Sequence, residues 1–302
     1  MLASEIPRWF VWLAAFAWGA AWGSFFNVAI YRWPRGMSVV SPPSHCPGCG
    51  TRIRAWQNVP IIGWLALGGK ATCCGMRISP RYPVVELLSA VLCVAIAQIW
   101  IVRAPPETLL LDATIETVLY FVFAGGLLIA TFVDLEWMEI PDEVSLPCAA
   151  LGLASAPFRS VPGVWSAAVG AGVAYLAVQL IFVWGYERVA GRRGMGEGDS
   201  KLLLMIGAFL GWKGALFSVV AGSLQGVVYA ALALLTGRKL TPDIDERIID
   251  GEVIEGPQEG EEEDAARIGL LKLPFGPFLA LGALEYLLAG EAILSWYFGL
   301  LR

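Results

Sequence analysis

Charge is scarce in this chain. Asp, Glu, Lys and Arg together make up 16% of its 302 residues, against 57% hydrophobic ones. A soluble globule carries about a quarter charged residues, so that class is excluded. Histidine occurs once, at His45, which leaves Ser–His or Cys–His nucleophile chemistry little to build on. There is no phosphate-binding glycine loop, no dinucleotide fingerprint and no basic, aromatic-bearing patch, so no nucleic-acid partner is expected. Nor does Met1–Arg8 read as a cleavable leader. Arg8 is followed by a full-length apolar run without an Ala-x-Ala-type site, and the first helix is expected to be retained.

What the chain has instead is long apolar runs, with a mean hydropathy of +0.64. The expected fold class is an all-α polytopic membrane protein, with membrane lipid as its solvent. Judged against the ~20 residues that cross a bilayer, about eight spans are expected near 9–31, 83–102, 113–133, 143–158, 166–186, 200–212, 214–236 and 274–298. The organisation reads as a first transmembrane helix (1–31), a polar Cys-containing segment (32–82) and a transmembrane core (83–302). Within the core, 237–273 reads as an acidic, solvated loop. With the N-terminus outside, most of the 21 Lys+Arg fall on the inner side. Only Arg8, Arg103, Arg159, Lys213 and Arg302 fall outside, as the positive-inside rule requires.

Two aspartates stand at the ends of apolar runs. Asp134 opens Asp134-Leu135-Glu136-Trp137-Met138-Glu139-Ile140-Pro141-Asp142, and Asp199 closes Gly196-Glu197-Gly198-Asp199. Two spans separate them, so both are expected on the inner face. Carboxylates at the edge of lipid are costly to desolvate and are functional candidates. Two within hydrogen-bond reach share one proton. The charged member then takes a proton from water while the protonated one polarises a scissile carbonyl. Gly196 and Gly198 let a substrate backbone come close, and Lys201 lies beside them. Interfacial capping, ion-coupled transport and a non-catalytic scaffold are the rival readings of the same acids.

Further motifs run along the chain in order. They are Gly23-Ser24-Phe25-Phe26-Asn27-Val28-Ala29-Ile30-Tyr31-Arg32, Ser44-His45-Cys46-Pro47-Gly48-Cys49-Gly50 and Asn58-Val59-Pro60-Ile61-Ile62-Gly63-Trp64-Leu65. Ile78-Ser79-Pro80-Arg81-Tyr82-Pro83-Val84-Val85-Glu86-Leu87-Leu88 follows, then the two aspartate motifs and Lys272-Leu273-Pro274-Phe275-Gly276-Pro277-Phe278-Leu279. With these the chain resembles the bacterial type IV prepilin peptidases (leader peptidase/N-methyltransferases). The resemblance implies an inner-membrane aspartic endopeptidase that cuts the basic leader from type IV prepilin or pseudopilin precursors, between Gly and Phe, on the cytoplasmic side. It makes Asp134 and Asp199 the catalytic pair. It also implies methylation of the new N-terminus with S-adenosylmethionine, with Glu86 a candidate in methyl transfer or, alternatively, for an interfacial ion pair with Arg81. Asn27 and Arg32, near the inner end of the first span, are candidates for contact with the substrate or the polar segment, or for helix packing and anchoring. A peptidase without methyl transfer is the alternative.

The family's usual cytoplasmic segment carries two Cys-x-x-Cys pairs, consistent with zinc. Cys46 and Cys49 form the first, but in the second Ala71 stands where a cysteine is expected and Cys73 lies directly beside Cys74. Adjacent cysteines on an extended chain point in opposite directions. Three readings stay open: zinc held by Cys46, Cys49, Cys73 and Cys74, zinc completed by His45, or a site that has lost its metal. Cys93 and Cys148 lie inside expected spans and read as packing residues.

Overall fold

Small residues decide where these helices meet. The computed structural model describes residues 1–190, 196–236, 246–249, 252–255 and 273–300, and the chain divides into two units, 1–33 with 37–129 and 34–36 with 130–302.

In the first unit, α1 (Arg8–Arg32) crosses α2 (Arg81–Ala97). A Cβ at Gly19 would strike the Cα of Ala90 and the Cβ of Cys93 at 2.7 Å, and one at Gly23 would meet the Glu86 Cα at 2.6 Å. The crossing is closed by Ser89 Oγ, which donates to the Gly19 carbonyl at 2.7 Å. Beyond α2 the chain widens into a π turn, Gln98–Val102. It then enters α3 (Leu110–Trp137), whose Tyr120 stacks on Trp100 at 4.8 Å between ring centroids. Residues between α1 and α2 form turns and short helical pieces, of which Ile62–Ala66 is the longest α-helical one.

The second unit takes the end of α3 and adds α4 (Asp142–Ser155), α5 (Val164–Ala177), α6 (Glu197–Thr236) and α7 (Gly276–Leu300). α5 and α6 cross glycine to glycine: a Cβ on Gly207 would collide with the Gly170 backbone, and one on Gly170 with the backbone at Gly211. α6 packs on α7 where Gly222 faces Phe278 and Gly282 faces Ser218, and Gln225 Nε2 donates to the Glu285 carboxylate at 2.9 Å. Gly211, at φ 70°, breaks α6 into 197–210 and 212–236.

All eight expected apolar segments are helical. Among the described residues, five helices are long and apolar enough to cross a membrane, Arg8–Arg35, Arg81–Val102, Leu110–Trp137, Val164–Val189 and Glu197–Thr236. The chain is a multi-pass all-α membrane protein. One small departure is an antiparallel pair of four-residue strands, Glu246–Ile249 and Glu252–Glu255. The rest of the acidic loop lies outside the described residues.

Candidate active site

Helix ends bring the two aspartates to one place. Asp134 sits in the last turn of α3. Met138 stops that helix by adopting φ 53°, and its N–H donates to the Asp134 carbonyl at 2.9 Å. Pro141 then leads in extended form into α4, which begins at Asp142. Asp199 is the third residue of α6. Both carboxylates are buried, Asp134 at 5% exposure and Asp199 at 8%, and the charge of Asp199 acts directly on Asp134.

Each carboxylate accepts a glycine N–H. Gly276, the first residue of α7, donates to Asp134 Oδ2 at 2.9 Å, and Gly196 donates to Asp199 Oδ2 at 3.2 Å. Ile140 fills the space that the glycines leave, since its Cβ lies 3.0 Å from where a Gly198 Cβ would stand and its Cδ1 3.1 Å from that of Gly276. Lys201 Nζ pairs with both oxygens of Asp142, at 2.5 and 2.7 Å, and so ties the start of α4 to the start of α6. Gly276 belongs to a motif visible in the sequence, but nothing local marked its N–H as a partner for a carboxylate far away in the chain.

A second constellation lies in the first unit. Glu86, buried in α2, accepts the Ile61 N–H at 2.7 Å. Ile61 is at φ 62° and ψ −55°, and the Ile62 N–H closes onto the Pro60 carbonyl at 2.6 Å. That is a γ-turn of the rare, strained hand, held in a β-branched residue. Asn27 donates to the carbonyls of Gly23 and Tyr82, while its Oδ1 is buried without a partner among the described residues. Arg32 donates to the carbonyls of Ser38 and Pro42 at 2.8 and 2.7 Å and so pins the 38–42 turn.

The sulfurs of Cys46, Cys49, Cys73 and Cys74 all lie within 4.8 Å of one another. They come from two turns of the same construction. Gly50 and Gly75 take φ 70° and 72°, and their N–H groups donate to the carbonyls of Cys46 and Ala71, each at 2.8 Å. Isolated bridges close both turns, His45 with Arg52 and Lys70 with Arg77. Position 71 is thus the counterpart of 46 and position 74 of 49, while Cys73 answers to Gly48. The chain here is a tight turn rather than extended, the condition under which adjacent cysteines can face one ion: Cys73 and Cys74 Sγ are 4.0 Å apart. Cys73 faces Cys49 at 3.2 Å and Cys74 faces Cys46 at 3.6 Å. His45 turns its Nδ1 to the Pro43 carbonyl at 3.2 Å and is not one of the cluster. The Thr51 hydroxyl, 3.3 Å away, helps pull the Cys49 thiol down to about 6, and Cys49 in turn pushes Cys73 up to about 12.

The chain matches two family models. Residues 17–100 match the bacterial peptidase A24 N-terminal domain and residues 121–231 the type IV leader peptidase family. Similar proteins carry the name prepilin leader peptidase/N-methyltransferase. That of Myxococcus xanthus is 31% identical over 96% of this chain and 94% of its own length. That of Stutzerimonas stutzeri is 32% identical over 98% and 96%, and that of Pseudomonas putida 36% over 75% and 83%. No solved structure matches.

Proposed function

The chain belongs to the type IV leader peptidase family, and from that membership we propose that it removes the basic leader from type IV prepilin or pseudopilin precursors and N-methylates the residue so exposed. The site is read as facing the cytoplasm from a bacterial inner membrane. The observation that carries the peptidase half is the buried carboxylate pair, each member held by a glycine N–H. Asp134 and Asp199 share one proton. The ionised member draws a proton from water, whose oxygen attacks the scissile carbonyl. The protonated member polarises that carbonyl, and the amine leaves with a proton from the pair. No covalent intermediate forms. Gly196 leaves room beside Asp199 for an extended leader junction, whereas Gly198 is packed on Ile140; the precursor's apolar helix stays in lipid.

S-adenosylmethionine, implied by the relatives' name, supplies an electrophilic methyl group when bound. The chain's own task is then to hold the new N-terminal amine and relieve it of its proton. Buried acceptors suit that task, and Glu86 with the unpartnered Asn27 Oδ1 are such a set. Four clustered thiols suit a tetrahedral thiolate ion, zinc by the chemistry of the donors. Cys46, Cys49, Cys73 and Cys74 would hold it, and it would lock the two turns together.

The test is a membrane assay on a co-expressed prepilin, with mass spectrometry of the product. Asp134→Asn and Asp199→Asn are each expected to lower cleavage by about 100- to 10,000-fold with insertion intact, the range for loss of a general acid or base. Undiminished cleavage in either variant overturns the dyad. A mature product without the added methyl overturns the methyltransferase half alone.

A further inference from the structure

The helices beside the dyad are too short for a bilayer. α4 and the 197–210 part of α6 are fourteen residues each, about 21 Å at 1.5 Å per residue, against about 30 Å of hydrocarbon. They run parallel. Lys201 meets Asp142 at their N-terminal ends, and Gly152 meets Ala208 and Phe209 near their C-terminal ends. Their last carbonyls therefore finish side by side, where lipid provides no donors. Parallel helices also bring two negative dipole ends together.

Arg159 answers both problems. The charge pattern of the sequence puts it among the outer loop residues, yet it is buried at 6% exposure. Its Nη1 donates to the Phe209 carbonyl at 2.8 Å, and its Nη2 to those of Gly152 and Ala208 at 2.7 and 2.8 Å. The guanidinium also packs over the Phe209 ring, 5.0 Å from its centre. One positive charge thus stands against two helix ends of about −0.5 each. The planar fork reaches both helices at once, which the single ammonium of a lysine does not reproduce. Gly211, at φ 70°, ends the first part of α6 just past these carbonyls.

At their other ends the same two helices carry the chemistry. α4 follows directly from the turn behind Asp134, and Asp199 lies in the first turn of α6. We propose that Arg159 is a positioning residue for the dyad. By joining the far ends of two parallel helices it sets their axial offset, and that offset holds Asp199 against Asp134. The proposal rests on the peptidase reading above.

The experiment uses the full chain reconstituted in lipid, as wild type, Arg159→Lys and Arg159→Ala. It measures kcat and KM for prepilin cleavage, methylation of an already cleaved peptide, and the thermal midpoint. Arg159→Lys is expected to lower cleavage kcat by about 10- to 100-fold with KM within about twofold, the scale of a small misplacement of reacting groups. Methylation of the cleaved peptide is expected to stay near wild type. Arg159→Ala is expected to lose more cleavage than the lysine variant, relative to the folded protein recovered. Wild-type kcat in folded Arg159→Lys overturns the proposal. So does a fall in cleavage and methylation in equal proportion, which marks a merely structural role. Wild-type protein that cleaves nothing overturns the peptidase reading itself, and the proposal with it.

Discussion

At Gly276 a Cβ would come within 2.7 Å of Asp134 Oδ2 and 3.1 Å of Ile140 Cδ1, so the residue serves by what it lacks as well as by its N–H. Gly276→Ala is expected to displace that N–H and lower cleavage kcat by about tenfold, the equivalent of one ordinary hydrogen bond. Steady-state kinetics on the purified variant would check it, and wild-type kcat would remove Gly276 from the site. The Lys201–Asp142 pair is a different case, since the Asp142 side chain is 51% exposed. Surface pairs contribute about 0–1 kcal/mol, so Lys201→Met is expected to move the thermal midpoint little. A clear loss of kcat in that variant would instead place Lys201 in substrate contact. The aspartates were legible in the sequence because Asp134 closes an apolar run and Asp199 leads into one, where a charge needs a reason. The Gly276 partnership was not, because it joins positions 142 residues apart.

At the scale of elements, the two cysteine turns differ in where they carry their sulfurs. The first places cysteines at its first and fourth positions. The second has Ala71 at the first, and Cys73, one place before Cys74, supplies the fourth sulfur. Cys73→Ala is expected to abolish stoichiometric zinc in the purified protein, and Ala71→Cys in the same chain to restore it. Metal analysis by mass spectrometry would read both. Zinc retained at full stoichiometry by Cys73→Ala would show that three thiols and another ligand suffice. The spacing of cysteines along the chain is visible in sequence, but their direction depends on turn geometry, and in the turn closed by the Gly75 N–H on the Ala71 carbonyl Cys73 faces Cys49. The break in α6 follows the same logic. Two adjoining apolar runs were legible, whereas a positive φ at Gly211 and the capping of the freed carbonyls by Arg159 were not.

At the scale of the whole molecule, the two proposed activities draw on different units. The dyad is built from α3, α6 and α7, and Glu86 with its strained turn from α2 and the segment before it. Separable effects follow. Glu86→Gln, which removes the charge but keeps an oxygen acceptor, is expected to lower methylation by about tenfold or more, a modest acid–base effect, while cleavage stays within about twofold. Asp199→Asn is expected to do the reverse when methylation is assayed on a pre-cleaved peptide. Paired rate measurements on one preparation would show this double dissociation. A parallel loss in both variants would argue for one shared site.

Composition and the order of apolar runs by themselves determined that this chain is a helical membrane protein and which carboxylates stand at its helix ends, because lipid imposes the same demand on every spanning segment wherever its neighbours lie. Which groups then satisfy those carboxylates, turn Cys73 inward and cap the C-terminal ends of α4 and the first part of α6 was decided only by the tertiary structure. Those partners are brought together by chain closure over tens of residues, and glycine contacts at the helix crossings set how closely they meet.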